Sequence, residues 1–201
     1  MIVGAGSSTS AHRRDEYLQA ARIAIDPDRV RVEVDLTAGI AVADAVLAGI
    51  DADRDGAISS SEAQAYAAVV RQAVRLDVDA APISAALVSS AFPDVAALRG
   101  GEGPIRVVLL ASLPPLGPGR HQIRYRNAHR ADIGVYLANA LVPASDRVAI
   151  NGQQRDAAQR ELIVDYELRP SRPGSGALPF AASLGVAVLV LGALWWRRRS
   201  A

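Results

Sequence analysis

The chain of 201 residues contains no cysteine, which excludes disulfide bonds, thiolate metal sites and thiol catalysis. Its one methionine is the first residue, so soft sulfur ligands for a transition metal are missing from the body of the chain. The net charge of +1 gives no general attraction for nucleic acid. The sequence also lacks a nucleophile elbow, a phosphate-binding glycine loop and a His-Glu-x-x-His motif. We therefore expect neither an enzyme nor a nucleic-acid-binding protein.

Half of the residues are apolar, which is enough for a core, and one apolar segment is exceptionally long. Leu178 to Trp196 contains 19 residues without a charge, about the length of a helix that crosses a bilayer. Two tryptophans close this segment, and Arg197, Arg198 and Arg199 follow it. Since basic clusters beside a span stay in the cytoplasm, we predict a single-pass anchor with a cytoplasmic C-terminus. A buried core helix is the alternative that the basic cluster disfavours.

The membrane anchor implies export, and the rest of the chain divides accordingly. Residues 1–11 have no basic start and no apolar core, but they end in small residues, so they are a signal-peptide remnant or a disordered tail. We predict an extracytoplasmic domain over 12–168 and a linker rich in proline, glycine and serine over 169–177. The membrane span over 178–196 and a cytoplasmic tail over 197–201 complete this plan.

Apolar and polar residues alternate in several short segments, which is the pattern of strands with one buried face. Arg29 to Leu36 alternates in this way, and Tyr17 to Ile25 precedes it across the turn Asp26-Pro27-Asp28, so the two segments predict a hairpin. Short strands at this spacing favour a mainly β fold, specifically a β-sandwich. Further strands are predicted at Ile83–Ser90, Ile105–Ser112, His121–Arg126, Ile133–Ala140, Arg147–Ile150 and Glu161–Leu168.

Helical periodicity is confined to residues 40–75, directly after the predicted hairpin. Apolar residues recur there at helical spacing in two sets, first Val42, Val46 and Ile50, then Tyr66, Val70 and Val74. The pattern predicts an inserted pair of helices, joined by a polar segment. No internal repeat of this unit is visible in the sequence.

The segment between the two helices, Asp51 to Glu62 (DADRDGAISSSE), has the oxygen ligands that calcium requires in a 12-residue loop. Gly56 holds the sixth position, where the sharp turn needs a positive φ. The predicted metal ligands are the carboxylates of Asp51, Asp53 and Asp55, the backbone carbonyl of Ala57, Ser59 through a water, and both oxygens of Glu62. Magnesium fits less well, because it prefers a tighter octahedron without a bidentate carboxylate. The alternative is an aspartate-rich turn that binds no ion.

This loop and its flanking helices resemble the EF-hand family over residues 40–75. The resemblance implies Ca²⁺ as the bound ion and a helix-loop-helix as the local fold. EF-hand loops usually occur in pairs that meet at the eighth position, which is Ile58 here. Because the chain has one such loop, either the β domain covers Ile58, or a second copy or another protein pairs with it. A lone extracytoplasmic site is expected to bind with a Kd of about 10⁻⁴–10⁻³ M.

Histidines suggest a second, different function. His12 would become the N-terminal residue if cleavage followed Ala11, and an α-amine with an imidazole chelates copper or nickel. His129, in a turn between predicted strands, is the candidate for a further ligand. A plain surface histidine is the alternative for each of them. His121 shares a predicted strand face with Ile123 and is interpreted as a packed or edge histidine.

Two stretches carry a weaker resemblance, His12–Ala20 and Arg126–His129 followed by Asp132–Val142. They are similar to exported bacterial EF-hand proteins and to the extracytoplasmic N-terminal regions of HupE/UreJ-type membrane proteins, which are linked to nickel or cobalt handling. The resemblance implies, as the alternative function, an accessory subunit of a nickel-, cobalt- or copper-handling membrane system. The chain departs from those permeases in having one predicted span, so it does not transport a metal alone.

Overall fold

The computed structural model describes residues 16–171, and these belong to one compact unit as far as Pro170. The predicted signal-peptide remnant, His12, most of the linker, the predicted membrane span and the predicted tail lie outside the described residues. Between residues 16 and 171, no helix has the length and apolar character needed to cross a bilayer.

The described residues are mainly β, with ten strands in two five-stranded sheets. The strands of the first sheet are β1 (Tyr17–Ile25), β2 (Arg29–Ala38), β5 (Ala85–Ala91), β6 (Ile105–Ser112) and β8 (Gly134–Ala140), in the order β5-β6-β2-β1-β8. The strands of the second sheet are β3 (Val74–Val78), β4 (Ala81–Ile83), β7 (Gly119–Asn127), β9 (Val148–Arg155) and β10 (Glu161–Leu168), in the order β4-β3-β7-β10-β9. The predicted hairpin is confirmed, since β1 and β2 pair antiparallel. β1 also pairs with β8, in parallel.

Alternation along the strands produces one hydrophobic core shared by both sheets. In β2, Val30 and Val32 are fully buried, whereas Arg29 and Arg31 face solvent. β10 follows the same rule, and its apolar residues join the same cluster as those of β2. A core lined by two sheets is consistent with the predicted β-sandwich.

Most of the helical residues lie between β2 and β3 in the sequence. A short 3-10 turn (Ile40–Val42) leads into α1 (Ala43–Leu47), and α2 (Ser60–Ala73) follows the polar loop. α2 begins at Ser59, whose side chain caps the helix in a reciprocal pair with Glu62. Tyr66, Ala67 and Val70 form the buried face of α2 and attach it to the core.

Several predicted boundaries were wrong. The helical segment does not extend to residue 75, because α2 ends at Ala73 and Val74 is already extended and paired with Asn127 of β7. Helical structure is also not confined to 40–75, since α3 (Val95–Gly100) lies before β6 and ends at Gly101 with a φ of 71°. The strand predicted at Ile83–Ser90 is divided between β4 and β5, and the one predicted at Arg147–Ile150 continues to Arg155.

Strand β8 forms one edge of the first sheet, and side chains of β9 cover part of that edge. The Arg155 guanidinium Nε donates a hydrogen bond to the carbonyl oxygen of Ala138 at 2.8 Å. The backbone N–H of Ala140 donates to the side-chain oxygen of Gln153 at 3.1 Å. Side chains from an edge strand of the second sheet thus satisfy backbone groups on an edge strand of the first.

Candidate metal centre

The loop Asp51–Glu62 is fixed at both ends by the helices that flank it. On the first side, the backbone N–H of Asp51 donates to the carbonyl of Leu47 in α1 at 2.9 Å, and Ile50 is buried in the core. On the second side, the cap formed by Ser59 starts α2. The loop therefore has defined entry and exit points, although most of its residues are exposed.

Three of the predicted ligands converge. One carboxylate oxygen each of Asp51, Asp53 and Asp55 lies within 4.8 Å of the others. Asp51 Oδ2 accepts a hydrogen bond from the N–H of Gly56 at 3.1 Å, whereas its Oδ1 is buried and has no hydrogen-bond partner among the described residues. A buried carboxylate oxygen without a partner is costly, so this atom is well suited to a cation.

Backbone hydrogen bonds inside the loop orient the other two carboxylates. Asp53 Oδ1 accepts from the N–H of Asp55 at 3.2 Å, and Asp55 Oδ1 accepts from the N–H of Ala57 at 2.8 Å. Gly56 has a φ of 82°, and a side chain there would meet no atom within 4 Å, so backbone conformation rather than space requires glycine. Arg54 also adopts a positive φ, of 62°.

The remaining predicted ligands lie at the exit of the loop. Glu62 Oε1 accepts from the N–H of Ala52 at 2.7 Å, and Oε2 accepts from the N–H of Ser59 at 2.9 Å and from its hydroxyl at 2.7 Å. These bonds, led by the Ser59 hydroxyl, lower the pKa of Glu62 to about 2. Glu62 is therefore ionised and held against both ends of the loop, but it is not part of the aspartate cluster. Ala57 is exposed, and Ser59 serves as the helix cap.

Ile58 occupies the eighth position of the loop, where EF-hand loops usually pair. Its side chain is partly buried and packs against the hydrophobic core of the β domain. The β domain therefore covers part of the eighth position of the loop, and pairing with a second copy or another protein stays a prediction.

His129 is buried, whereas its predicted position in a turn between strands gave no indication of burial. The residue is only 4% exposed, and its ring Nε2 is 3.0 Å from the hydroxyl of Tyr66, which is itself 2.8 Å from the hydroxyl of Tyr17. Burial lowers the pKa of His129 to about 4, and the neighbouring Arg130 acts in the same direction. Because His12 lies outside the described residues, the proposed pairing of His12 with His129 stays a prediction, and the burial of His129 does not favour it.

His121 is a packed histidine, as predicted. Its Nδ1 lies 2.7 Å from Asp79 Oδ2, and its Nε2 lies 2.8 Å from the carbonyl oxygen of Gly117. Both partners are acceptors, so only the doubly protonated ring satisfies both contacts. The carboxylate of Asp79 raises the pKa of His121 accordingly.

Comparisons with protein-family models, with curated proteins and with solved structures gave no match.

Proposed function

We propose that this chain binds one calcium ion in the loop Asp51–Glu62, and that the ion has a structural or interaction role rather than a catalytic one. In this proposal the loop is an EF-hand inserted in an extracytoplasmic β-sandwich, which the segment 178–196 anchors in the cell membrane. The observation that carries the proposal is the cluster of three aspartates, in which the buried Oδ1 of Asp51 has no hydrogen-bond partner among the described residues.

The donor set suits calcium better than other ions. Three carboxylates, a backbone carbonyl at Ala57, a water on Ser59 and the carboxylate of Glu62 supply six or seven oxygens, the number that Ca²⁺ prefers. Soft ligands are missing from the loop, which disfavours copper and zinc. Ligation by both oxygens of Glu62 requires its carboxylate to exchange hydrogen bonds to Ala52 and Ser59 for contacts with the ion.

A structural role follows from the expected affinity. At about 1 mM calcium and a Kd of about 10⁻⁴ M, the site would be roughly 90% occupied and would stabilise the fold by about 1.4 kcal/mol. A site that is nearly always filled holds α1 and α2 together and does not report small changes in calcium. The packing of Ile58 against the core supports a role that needs no partner loop.

Isothermal titration calorimetry on the full chain in a non-ionic detergent tests calcium binding. We expect one equivalent of Ca²⁺ to bind, magnesium to bind more weakly, and Asp51→Asn to raise the calcium Kd at least tenfold. Asp28→Asn is the matched control, because Asp28 is an exposed aspartate in the β1–β2 turn whose partner is Arg29. Absence of calcium binding up to 10 mM, or equal Kd values for Asp51→Asn and the parent chain, would refute the proposal.

Membrane anchoring is tested separately. We expect the full chain to stay with bacterial membranes after an alkaline carbonate wash, because a spanning helix is not extracted by high pH. A chain that stops after residue 171 should appear in the soluble fraction. Release of the full chain by the wash would contradict the anchor without affecting the calcium proposal.

A further inference from the structure

The turn between β7 and β8 (residues 128–133) contacts both helices that flank the calcium loop. Its His129 Nε2 is 3.0 Å from the hydroxyl of Tyr66 in α2. The next residue, Arg130, donates a hydrogen bond from Nη1 to the carbonyl oxygen of Ala45 in α1 at 3.2 Å. Two consecutive residues of one turn therefore hold the two helices on either side of the loop.

Tyr66 connects this turn to the part of α2 that carries the predicted calcium ligand Glu62. It lies four residues after Glu62, one helical turn along α2 and on the same face. Its ring meets the ring of His129 edge-on, with 5.4 Å between the centroids and an angle of 87° between the planes. A Cβ built on Gly49, two residues before Asp51, would lie 3.8 Å from the Tyr66 ring. Tyr66 thus fills the space next to the entry of the loop while belonging to its exit helix.

The turn is itself rigidly supported by the β domain. The carbonyl oxygen of His129 accepts two hydrogen bonds of 2.7 Å, from Gln19 Nε2 and from the hydroxyl of Tyr136. Its N–H donates to Asn127 Oδ1 at 2.9 Å. Arg130 is also held, by a salt bridge of 3.0 Å to Asp132. These contacts attach the turn to three strands. Movement of α2 relative to the turn would break the buried hydrogen bond between Tyr66 and His129, and movement of α1 would break the exposed one between Arg130 and Ala45.

We propose that Tyr66, His129 and Arg130 form a clamp that positions α1 and α2, and that this clamp sets the calcium affinity of the loop. The clamp touches no predicted ligand. It acts by fixing the separation between Asp51, whose backbone N–H is bonded to Leu47 at the end of α1, and Glu62, in the first turn of α2. The inference rests on the proposed calcium function and deepens it by naming positioning residues outside the loop.

The physical basis is preorganisation. An ion that joins the first and twelfth loop positions needs the two helices at a fixed separation. If the free protein does not already hold the helices at that separation, the cost of ordering them weakens calcium binding. Loss of one clamp hydrogen bond should therefore raise the calcium Kd roughly three- to tenfold, which corresponds to the net contribution of a typical hydrogen bond.

Calcium titration of the full chain and four variants tests the clamp. Tyr66→Phe removes only the hydroxyl and keeps the ring. Arg130→Gln removes the contact to Ala45 together with the salt bridge to Asp132 that holds the side chain in place. We expect each change to raise the calcium Kd three- to tenfold, and the double variant to raise it by less than the product of the two effects. Tyr166→Phe is the matched control, because its buried hydroxyl has no partner among the described residues, and its Kd should equal that of the parent chain.

Urea unfolding with excess calcium and with excess chelator separates positioning from simple stabilisation. A clamp that positions the ligands makes Tyr66→Phe more destabilising in calcium than in chelator. Equal losses in both conditions together with an unchanged Kd would overturn the clamp while leaving calcium binding intact. A similar rise in Kd for Tyr166→Phe would also overturn it. If the parent chain binds no calcium, the proposed function fails and the clamp fails with it.

Discussion

Acidification is a direct test of the buried environment of His129. The folded protein holds this imidazole in its neutral form, because burial lowers its pKa from 6.5 to about 4. In the unfolded chain the ring is in water and takes up a proton near its ordinary pKa. Between these two values the unfolded state binds more protons than the folded state, so stability falls as the pH falls. The stability that the neutral, buried His129 contributes is fully present above pH 6.5 and is lost progressively as the pH falls to 4.

The size of the effect follows from the two pKa values. From pH 7 to pH 5, this one group should reduce the free energy of unfolding by about 2 kcal/mol. The loss should level off near 3 kcal/mol below pH 4, where the ring is protonated in both states. Such a change is a large fraction of the total stability of an ordinary domain.

Urea titrations followed by far-ultraviolet circular dichroism at pH 7, 6 and 5 measure this loss. His129→Gln is the comparison, since glutamine retains hydrogen-bonding groups but does not titrate. Other titrating groups contribute equally to both proteins, so the difference in pH dependence isolates His129. The parent chain should lose about 2 kcal/mol more than His129→Gln between pH 7 and pH 5. Identical pH dependence in the two proteins would refute the reasoning.

Three further predictions address other parts of the fold. His121 behaves oppositely to His129: Asp79 raises its pKa, so its contribution is present below pH 6.5 and is lost as the pH rises through the raised value. His121→Asn should therefore lower the urea midpoint at pH 6 and leave it nearly unchanged at pH 9, and equal effects at both values would contradict the pairing. Ser59→Ala should cost about 1 kcal/mol of stability in chelator, where no ion contributes, because it removes the cap of α2. Ser60→Ala is the control, since Ser60 is exposed and lies outside the capping pair, and equal losses would argue against the cap. Gly134→Ala should destabilise by about 1–3 kcal/mol, because the new Cβ would lie 2.7–2.8 Å from polar atoms of Arg130, Gln19 and Tyr136; an unchanged thermal midpoint would show that these atoms move aside at little cost.

Strand positions were largely predictable where apolar residues alternate over a full strand. The bounds of β1 and β10 agree with the sequence-based ones, since each has an apolar residue at nearly every second position. Val74 shows why other boundaries failed. It continues the helical spacing of Tyr66 and Val70, but it also starts the alternation of β3, and pairing with β7 decides between the two. The sequence around Val74 fits both a helix and a strand, and it contains no information about β7, the strand with which Val74 pairs.

In the candidate site, too, features formed by neighbouring residues were predictable from the sequence, and contacts between distant residues were not. The loop positions are recognisable because the ligands lie within twelve consecutive residues, and the capping pair of Ser59 and Glu62 is equally local. The environment of His129 was not predictable, because Tyr66 is 63 residues away and Gln19 is 110 residues away in the sequence. The parallel pairing of β1 with β8 creates this neighbourhood, and no local pattern indicates it.

The hydrogen bonds from β9 to the edge of β8 bear on how the protein behaves at high concentration. An uncovered edge strand is a template for a strand of another molecule, and β8 carries the exposed apolar side chains of Val135 and Leu137 that would favour such stacking. Arg155 occupies the carbonyl of Ala138 and places a positive charge there. An incoming strand would have to displace that guanidinium and the side chain of Gln153 before it could pair with β8, so side chains of β9 oppose growth into β-linked aggregates.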